Sequence, residues 1–172
     1  VLAACGNEGG SAAQSAASAP AAATEGSLLA RIDNKGTVTV GTEGTYAPFT
    51  YHDESGKLTG YDVEVTRAVA DKLGVKVDFK ETLWDAMLAG LKAGRFDIVA
   101  NQVSLTTPER RATFDKSADY SYSGPMALTR QADQRLKTLA DVKGLSSAQS
   151  LSSNYGEMAE KAGAKIVPVH GM

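Results

Sequence analysis

Two adjacent arginines, Arg110 and Arg111, follow Thr107-Pro108-Glu109. A guanidinium is a rigid two-pronged donor that holds a carboxylate bidentately. The same group also suits a surface ion pair with Glu109 or Asp115, a role that fits Arg111 better than Arg110. Upstream, Asn101, Gln102 and Ser104 follow the apolar run Phe96-Asp97-Ile98-Val99-Ala100. A hydroxyl at Ser104 accepts from an ammonium or donates to a carboxylate, although a loop serine is more often only solvated. Trp84 lies on an apolar stripe at helical spacing, so it is either core or an aromatic wall. Gln149-Ser150-Leu151-Ser152-Ser153-Asn154-Tyr155 runs into a second helical pattern. Hydroxyls and free N–H groups at a helix N-terminus suit a carboxylate, or an ordinary serine cap, or both. His52 and His170 are the only histidines. No Ser/His/Asp set, paired-carboxylate spacing or metal cluster stands out, and an enzyme needs a positioned acid or base beside its substrate.

The composition bounds what such groups serve. The chain has 172 residues, 18 basic and 20 acidic side chains, a net charge of −2, and is 42% hydrophobic with 6% aromatic residues. Those figures describe one globular domain, or one plus part of another. A near-neutral balance argues against a nucleic-acid binder, which shows a strongly basic face. No run of about 18 uncharged apolar residues is present, so no spanning helix is expected. The single cysteine, Cys5, rules out an internal disulfide and a Cys-based zinc site.

Periodicity gives the elements that must position these groups. Thr37-Val38-Thr39-Val40 alternates as a strand, ended by Gly41 and Gly44. Asp62 is placed to cap a helix whose stripe is Val65, Val69 and Leu73, with Gly74 at its end. Val75, Val77 and Phe79 alternate again, and Leu83, Trp84, Met87, Leu88 and Leu91 form a second helical stripe stopped near Gly94. Residues 96–100 read as a third, buried strand. Strand–helix–strand–helix–strand predicts a parallel sheet with right-handed crossovers. Pro125 to Thr129 is extended, 136–145 is a short helix or turn, and a weak strand, a helix (Tyr155 to Lys161) and a strand (Lys165 to Val169) begin a second αβ unit.

Gly41-Thr-Glu-Gly-Thr-Tyr-Ala-Pro-Phe49 and Gly60-Tyr61-Asp62-Val63 resemble segments of extracytoplasmic solute-binding proteins of polar amino acid ABC transporters. Gly94-Arg-Phe-Asp-Ile-Val99, Thr107-Pro-Glu-Arg110 and Asp115-Lys116-Ser117 extend the likeness over most of residues 28–172. The family usually has Asp-Phe-Ser at the last of these, and one extra residue between Ser104 and Arg110 leaves Thr106 and Thr107 as alternatives. The resemblance implies an α/β, two-lobed Venus-flytrap fold that closes on a ligand, with the first lobe nearly complete and the second partial. It places lobe 1 at 28–124, a hinge strand at 125–130 and the start of lobe 2 at 131–172. It makes Arg110 the ligand-carboxylate site, Tyr46 and Trp84 the stacking walls, and Phe49 packing support. Ser104 and the backbone of Asn101 and Gln102 line the same spot. Glu43 falls where relatives touch the ligand side chain, with a solvated loop acid as the alternative, and Ser152 is the contacting hydroxyl of lobe 2. The pairing of Asn101-Gln102-Val103 with Gln149-Ser150-Leu151 resembles the cystine-binding subset. The implied ligand is an amino acid and the implied partner an ABC permease; no cofactor is implied.

Val1-Leu2-Ala3-Ala4-Cys5-Gly6 resembles a bacterial lipobox, which would leave Cys5 acylated and anchored to a membrane outside the cytoplasm. Residues 6–27 hold eight Ala, four Ser and four Gly, too little large apolar surface to order, and read as a flexible tether. Three other readings compete: a dehydratase-like enzyme on the same scaffold, the sensory domain of a receptor, and a lipid-anchored interaction protein.

Overall fold

The structure, a computed structural model, describes residues 24–170. Cys5 and residues 6–23 of the expected tether lie outside the described residues. The remaining residues of that tether are structured. Ser27 N–H donates to the Thr24 carbonyl at 2.9 Å, and the Ser27 hydroxyl accepts from Ala30 N–H at 3.2 Å. Ser27 thereby caps α1 (Leu28–Lys35), a short helix not anticipated from the periodicity.

The main unit is a three-stranded parallel sheet of β1 (Thr37–Thr42), β5 (Lys76–Glu81) and β6 (Ile98–Val99) in the order β5-β1-β6. Its registers pair Val38 with Val77, Val40 with Phe79, and Val40 with Ile98. Between β1 and β5 lie a small antiparallel sheet, β2 (Thr45–Tyr46), β3 (Thr50–His52) and β4 (Leu58–Thr59), and the helix α2 (Tyr61–Leu73). Helix α3 (Trp84–Lys92) joins β5 to β6, and α4 (Pro108–Thr113) follows β6. Ile32, Val38, Val40, Ala70 and Ala100 form the core, with Val75, Val77, Phe79 and Ile98 packed against them. The Phe96 ring is also buried, between β1 and α3. It reaches both elements because Gly41 and Gly90 lack side chains: a Cβ would lie 2.7 Å from the ring at Gly41 and 2.8 Å at Gly90. Gly41 is therefore inside β1 and does not end it.

Two expectations for α2 change. The helix buries Val63, Thr66 and Ala70, and leaves Val69 54% and Leu73 43% exposed. Its rotation is set by a sharp entry at Gly60 (φ 118°), where a Cβ would meet the Phe49 carbonyl oxygen at 2.4 Å. The N-cap is Gly60, so Asp62 sits inside the first turn and its carboxylate serves elsewhere.

After α4 no regular element occurs until a 3-10 turn at Leu139–Val142; the expected extended segment Pro125 to Thr129 forms no ladder. A second parallel pair, β7 (Ser146–Gln149) and β8 (Lys165–Pro168), is joined by α5 (Asn154–Lys161). The N-cap of α5 is Ser153, whose hydroxyl accepts from Gly156 N–H at 3.1 Å, which leaves Ser152 free of that duty.

Candidate functional site

The carboxyl ends of the parallel strands carry Glu43 after β1, Trp84 shortly after β5 and Asn101 after β6. The chain leaves β1 toward β5 on one side, while β6 lies on the other. Open α/β sheets bind ligands at such a switch point. Glu43 N–H donates to Asn101 Oδ1 at 2.8 Å, and the Thr42 hydroxyl reaches the same oxygen at 3.4 Å. The Asn101 side chain is thus a buried brace between the two strand ends. Glu43 is 7% exposed, and its Oε1 has no hydrogen-bond partner among the described residues. This excludes the solvated loop acid as its state.

Arg110 is positioned by α4. Thr107 caps this helix, its hydroxyl accepting from Arg110 N–H at 3.2 Å, and Pro108 occupies the first turn, where its missing N–H costs nothing. The Arg110 side chain is buried, 7% exposed. It donates to the Ser104 carbonyl at 3.0 Å and the Ser152 carbonyl at 2.7 Å, and lies 5.5 Å over the Trp84 ring. Neither Glu109 nor Asp115 pairs with it, and among the described residues no carboxylate does. Burial lowers its pKa, with Glu157 and Glu109 opposing; a guanidinium stays charged nonetheless. Arg111 donates to the Leu105 and Thr106 carbonyls, so it makes no surface ion pair either.

Ser152 faces Arg110 across the cleft. Its hydroxyl donates to Asp85 Oδ1 at 2.8 Å and its N–H to the same oxygen at 3.2 Å. Asn154 Nδ2 donates to the Ser104 hydroxyl at 3.3 Å and the Thr106 hydroxyl at 3.1 Å. These bonds bridge the two units around a cleft of about 800 Å³ bordered by Asp85, Arg110, Ser152, Asn154 and Glu157. Of the expected site residues, Arg110 and Ser152 line that cleft. Trp84 and Ser104 reach it through Arg110 and Asn154, while Glu43, Tyr46, Asn101 and Gln102 stand together at the β1–β6 end. The Tyr46 ring lies 5.1 Å from Phe49, tilted by 49°. Burial raises the Tyr46 phenol above its ordinary value, and Tyr155, Asp62 and Glu43 add to the effect.

Other polar side chains brace this region. Asp62 is 1% exposed and accepts from Gln102 N–H at 2.7 Å and Gln102 Nε2 at 2.6 Å. Burial raises its pKa, while those bonds and one from Tyr120 pull it back. Asp85 follows Trp84, which the sequence did single out, and that adjacency was the available signal; Asn154 lies in the 149–155 segment already read as a helix start. His52 Nε2 lies 3.1 Å from Glu81 Oε1 and His52 Nδ1 3.2 Å from the Gly44 carbonyl, away from the cleft. Among the described residues no cluster of His, Cys, Asp and Glu forms a metal site, and no helix is long and apolar enough to cross a membrane.

Comparison with known proteins agrees with this architecture. The family model of bacterial extracellular solute-binding proteins, family 3, matches residues 38–166. The L-cystine-binding protein TcyA of Bacillus subtilis is 56% identical over 151 residues, which are 87% of this chain and 56% of that protein. The chain thus spans about half the length of the curated relatives it matches. The L-cystine solute receptor of Neisseria gonorrhoeae, in its unliganded open conformation, is 71% identical, with a TM-score of 0.55 over 86% of this chain and 62% of the receptor. An ancestral amino acid-binding protein, a precursor of cyclohexadienyl dehydratase, is 34% identical with a TM-score of 0.75 over 83% of this chain and 65% of its own. The fold is therefore the two-lobed α/β fold of these binding proteins, present here in part, and the chain belongs to the bacterial extracellular solute-binding proteins, family 3.

Proposed function

We propose that this protein captures a polar amino acid, L-cystine foremost, between two lobes outside the cytoplasm and delivers it to an ABC permease. The observation that carries this reading is Arg110: a buried guanidinium over the Trp84 ring, without a carboxylate partner among the described residues, facing a cleft. A ligand carboxylate displaces the Ser152 carbonyl from Arg110 and forms a stronger, charge-assisted pair. Ser152 and Ser104 then contact the ligand's polar groups, with the 101–102 backbone beside them. Tyr46 and Trp84 wall the site, and Glu43 receives the ligand's cationic end. The near relatives with L-cystine in their names support cystine over other amino acids.

Residues 28–124 act as lobe 1, 125–130 as the hinge strand and 131–172 as the start of lobe 2. Ligand contacts on both lobes favour closure by their differential affinity for the closed state, and the permease reads that state. Acylated Cys5 and the tether hold the protein at the membrane. The protein binds without catalysis, a reading supported by relatives named as binding proteins. A thermal-shift screen of the twenty amino acids plus L-cystine, on protein made at its relatives' full length, tests the reading. Stabilisation confined to L-cystine or one or two other polar amino acids supports it, and no stabilisation by any contradicts it.

A further inference from the structure

The buried carboxylate of Asp62 belongs to no ion pair among the described residues. Both its oxygens are used on one residue: Oδ2 accepts from Gln102 N–H at 2.7 Å and Oδ1 from Gln102 Nε2 at 2.6 Å. Gln102 has a φ of +51°, and among the described residues it is the one non-glycine residue with positive φ. A glutamine in the left-handed region is strained and persists only where its surroundings hold it there. That conformation turns the chain directly after Asn101, which braces Glu43, and ahead of Ser104, whose carbonyl accepts from Arg110.

The clamp also extends outward. Gln102 Oε1 accepts from the Ser121 hydroxyl at 2.9 Å, and the Tyr61 hydroxyl donates to the Tyr120 carbonyl at 2.7 Å. One buried acid at the start of α2 thus fastens Gln102, and Gln102 in turn ties the 101–104 loop to Ser121, with the neighbouring Tyr61 holding the Tyr120 carbonyl.

We propose that Asp62 is a positioning residue for the solute site: it holds Gln102 left-handed, so that the 101–104 loop presents its groups to the ligand, and it couples that loop to the segment leaving the first unit. The proposal rests on the solute-binding reading for its effect on affinity, but not for its effect on the loop.

The test is a polarity swap. Asp62→Asn puts an amide against the Gln102 amide, and Gln102→Glu alone puts two carboxylates together. The two substitutions combined restore the side-chain bond with donor and acceptor exchanged, while the backbone N–H at position 102 goes on donating to the remaining side-chain oxygen at position 62. L-cystine affinity is measured by calorimetry on protein of full length, and amide hydrogen exchange is followed on the ligand-free protein. Asp62→Asn is expected to weaken binding by about tenfold or more, the scale of losing one hydrogen bond to a charged group. It also speeds exchange at 101–104 and 120–121 ahead of β1 and β5, and the double variant recovers most of both. Ser121→Ala, at an exposed bond that does not endanger folding, loosens 120–121 and the loop while β1 stays protected. Three results overturn the proposal: unchanged exchange at 101–104 in both Asp62→Asn and Ser121→Ala, uniform loosening of the whole sheet, or no recovery in the double variant. If the unsubstituted protein binds no amino acid, the solute reading fails, and the exchange data still decide the role of Asp62.

Discussion

Arg110 lies with its guanidinium 5.5 Å over the Trp84 ring, and no carboxylate among the described residues neutralises it. Taking a cation out of water without a counter-ion is costly, so the protein spends stability to keep this group available. Two backbone carbonyls and one aromatic face offset part of that cost. On the proposed reading, a ligand carboxylate is the partner this arrangement lacks.

The aromatic face is the easiest part to remove. Trp84→Ala exposes the guanidinium to water and deletes the cation–π contact, and is expected to weaken amino acid binding by roughly 10- to 100-fold, while Trp84→Phe loses less than about tenfold. Calorimetric titration of both variants checks the order. Equal losses would mean that Trp84 acts through packing alone.

Glu43 is predicted to trade stability against binding. Its Oε1 is buried with no partner, and Glu43→Gln removes the uncompensated charge. The ligand-free variant should be more stable by about 1 kcal/mol, while ligand binding weakens by about tenfold. Chemical denaturation and calorimetry on the same preparation measure the two effects.

Gly60→Ala should be among the most damaging single changes in the sheet unit. Its φ of 118° and the 2.4 Å approach to the Phe49 carbonyl oxygen leave no place for a Cβ. The entry to α2 must shift, at a cost of about 3 kcal/mol. Denaturant unfolding reads this directly, and a loss below about 1 kcal/mol would show that the turn relaxes freely.

Asp97 links the start of β6 to β1 and gives the stability a pH dependence. Its Oδ2 accepts from Thr39 N–H at 2.9 Å and the Thr39 hydroxyl at 2.8 Å, with Lys35 at 3.7 Å. Burial alone would raise its pKa, but the two Thr39 bonds, Lys35 and Arg31 together bring it below 3.8. A carboxylate depressed on folding stabilises the folded state above its unfolded value, and that contribution is lost as pH falls through the folded value. Asp97→Ala should therefore cost about 1–3 kcal/mol near neutral pH, and the gap to the unsubstituted protein should close below pH 3.8. Denaturation at a series of pH values follows it; a gap that widens in acid contradicts the assignment.

How much of this was legible depends on how local each signal is. The alternation of Thr37-Val38-Thr39-Val40 and of Val75, Val77 and Phe79 reports β1 and β5, because a strand's burial is written in neighbouring residues. The two-residue strands β2 and β4 are too short to carry a period. In α2 the apolar stripe Val65, Val69, Leu73 pointed to the wrong face, since Gly60 fixes the rotation and Thr66 buries its hydroxyl by donating it to the Asp62 carbonyl at 2.7 Å. Helix α4 was hidden by its length, although Thr107 and Pro108 mark its start. Arg110, Trp84 and Ser152 were expected from their motifs, and the structure brings Arg110 against the Trp84 ring and the Ser152 carbonyl. Asp62 was read only as a helix cap and motif residue, and Asp85 not at all, because the partners that define their contacts lie 40 and 67 residues away in the chain.

The most direct test compares L-cystine binding by the unsubstituted protein and by Arg110→Met, both at full length. The account predicts measurable affinity in the first, and a loss of roughly 100-fold or more in the second with little change in melting of the ligand-free protein. Affinity retained in Arg110→Met would contradict the central claim, because the ligand carboxylate would then be held by something other than this buried guanidinium.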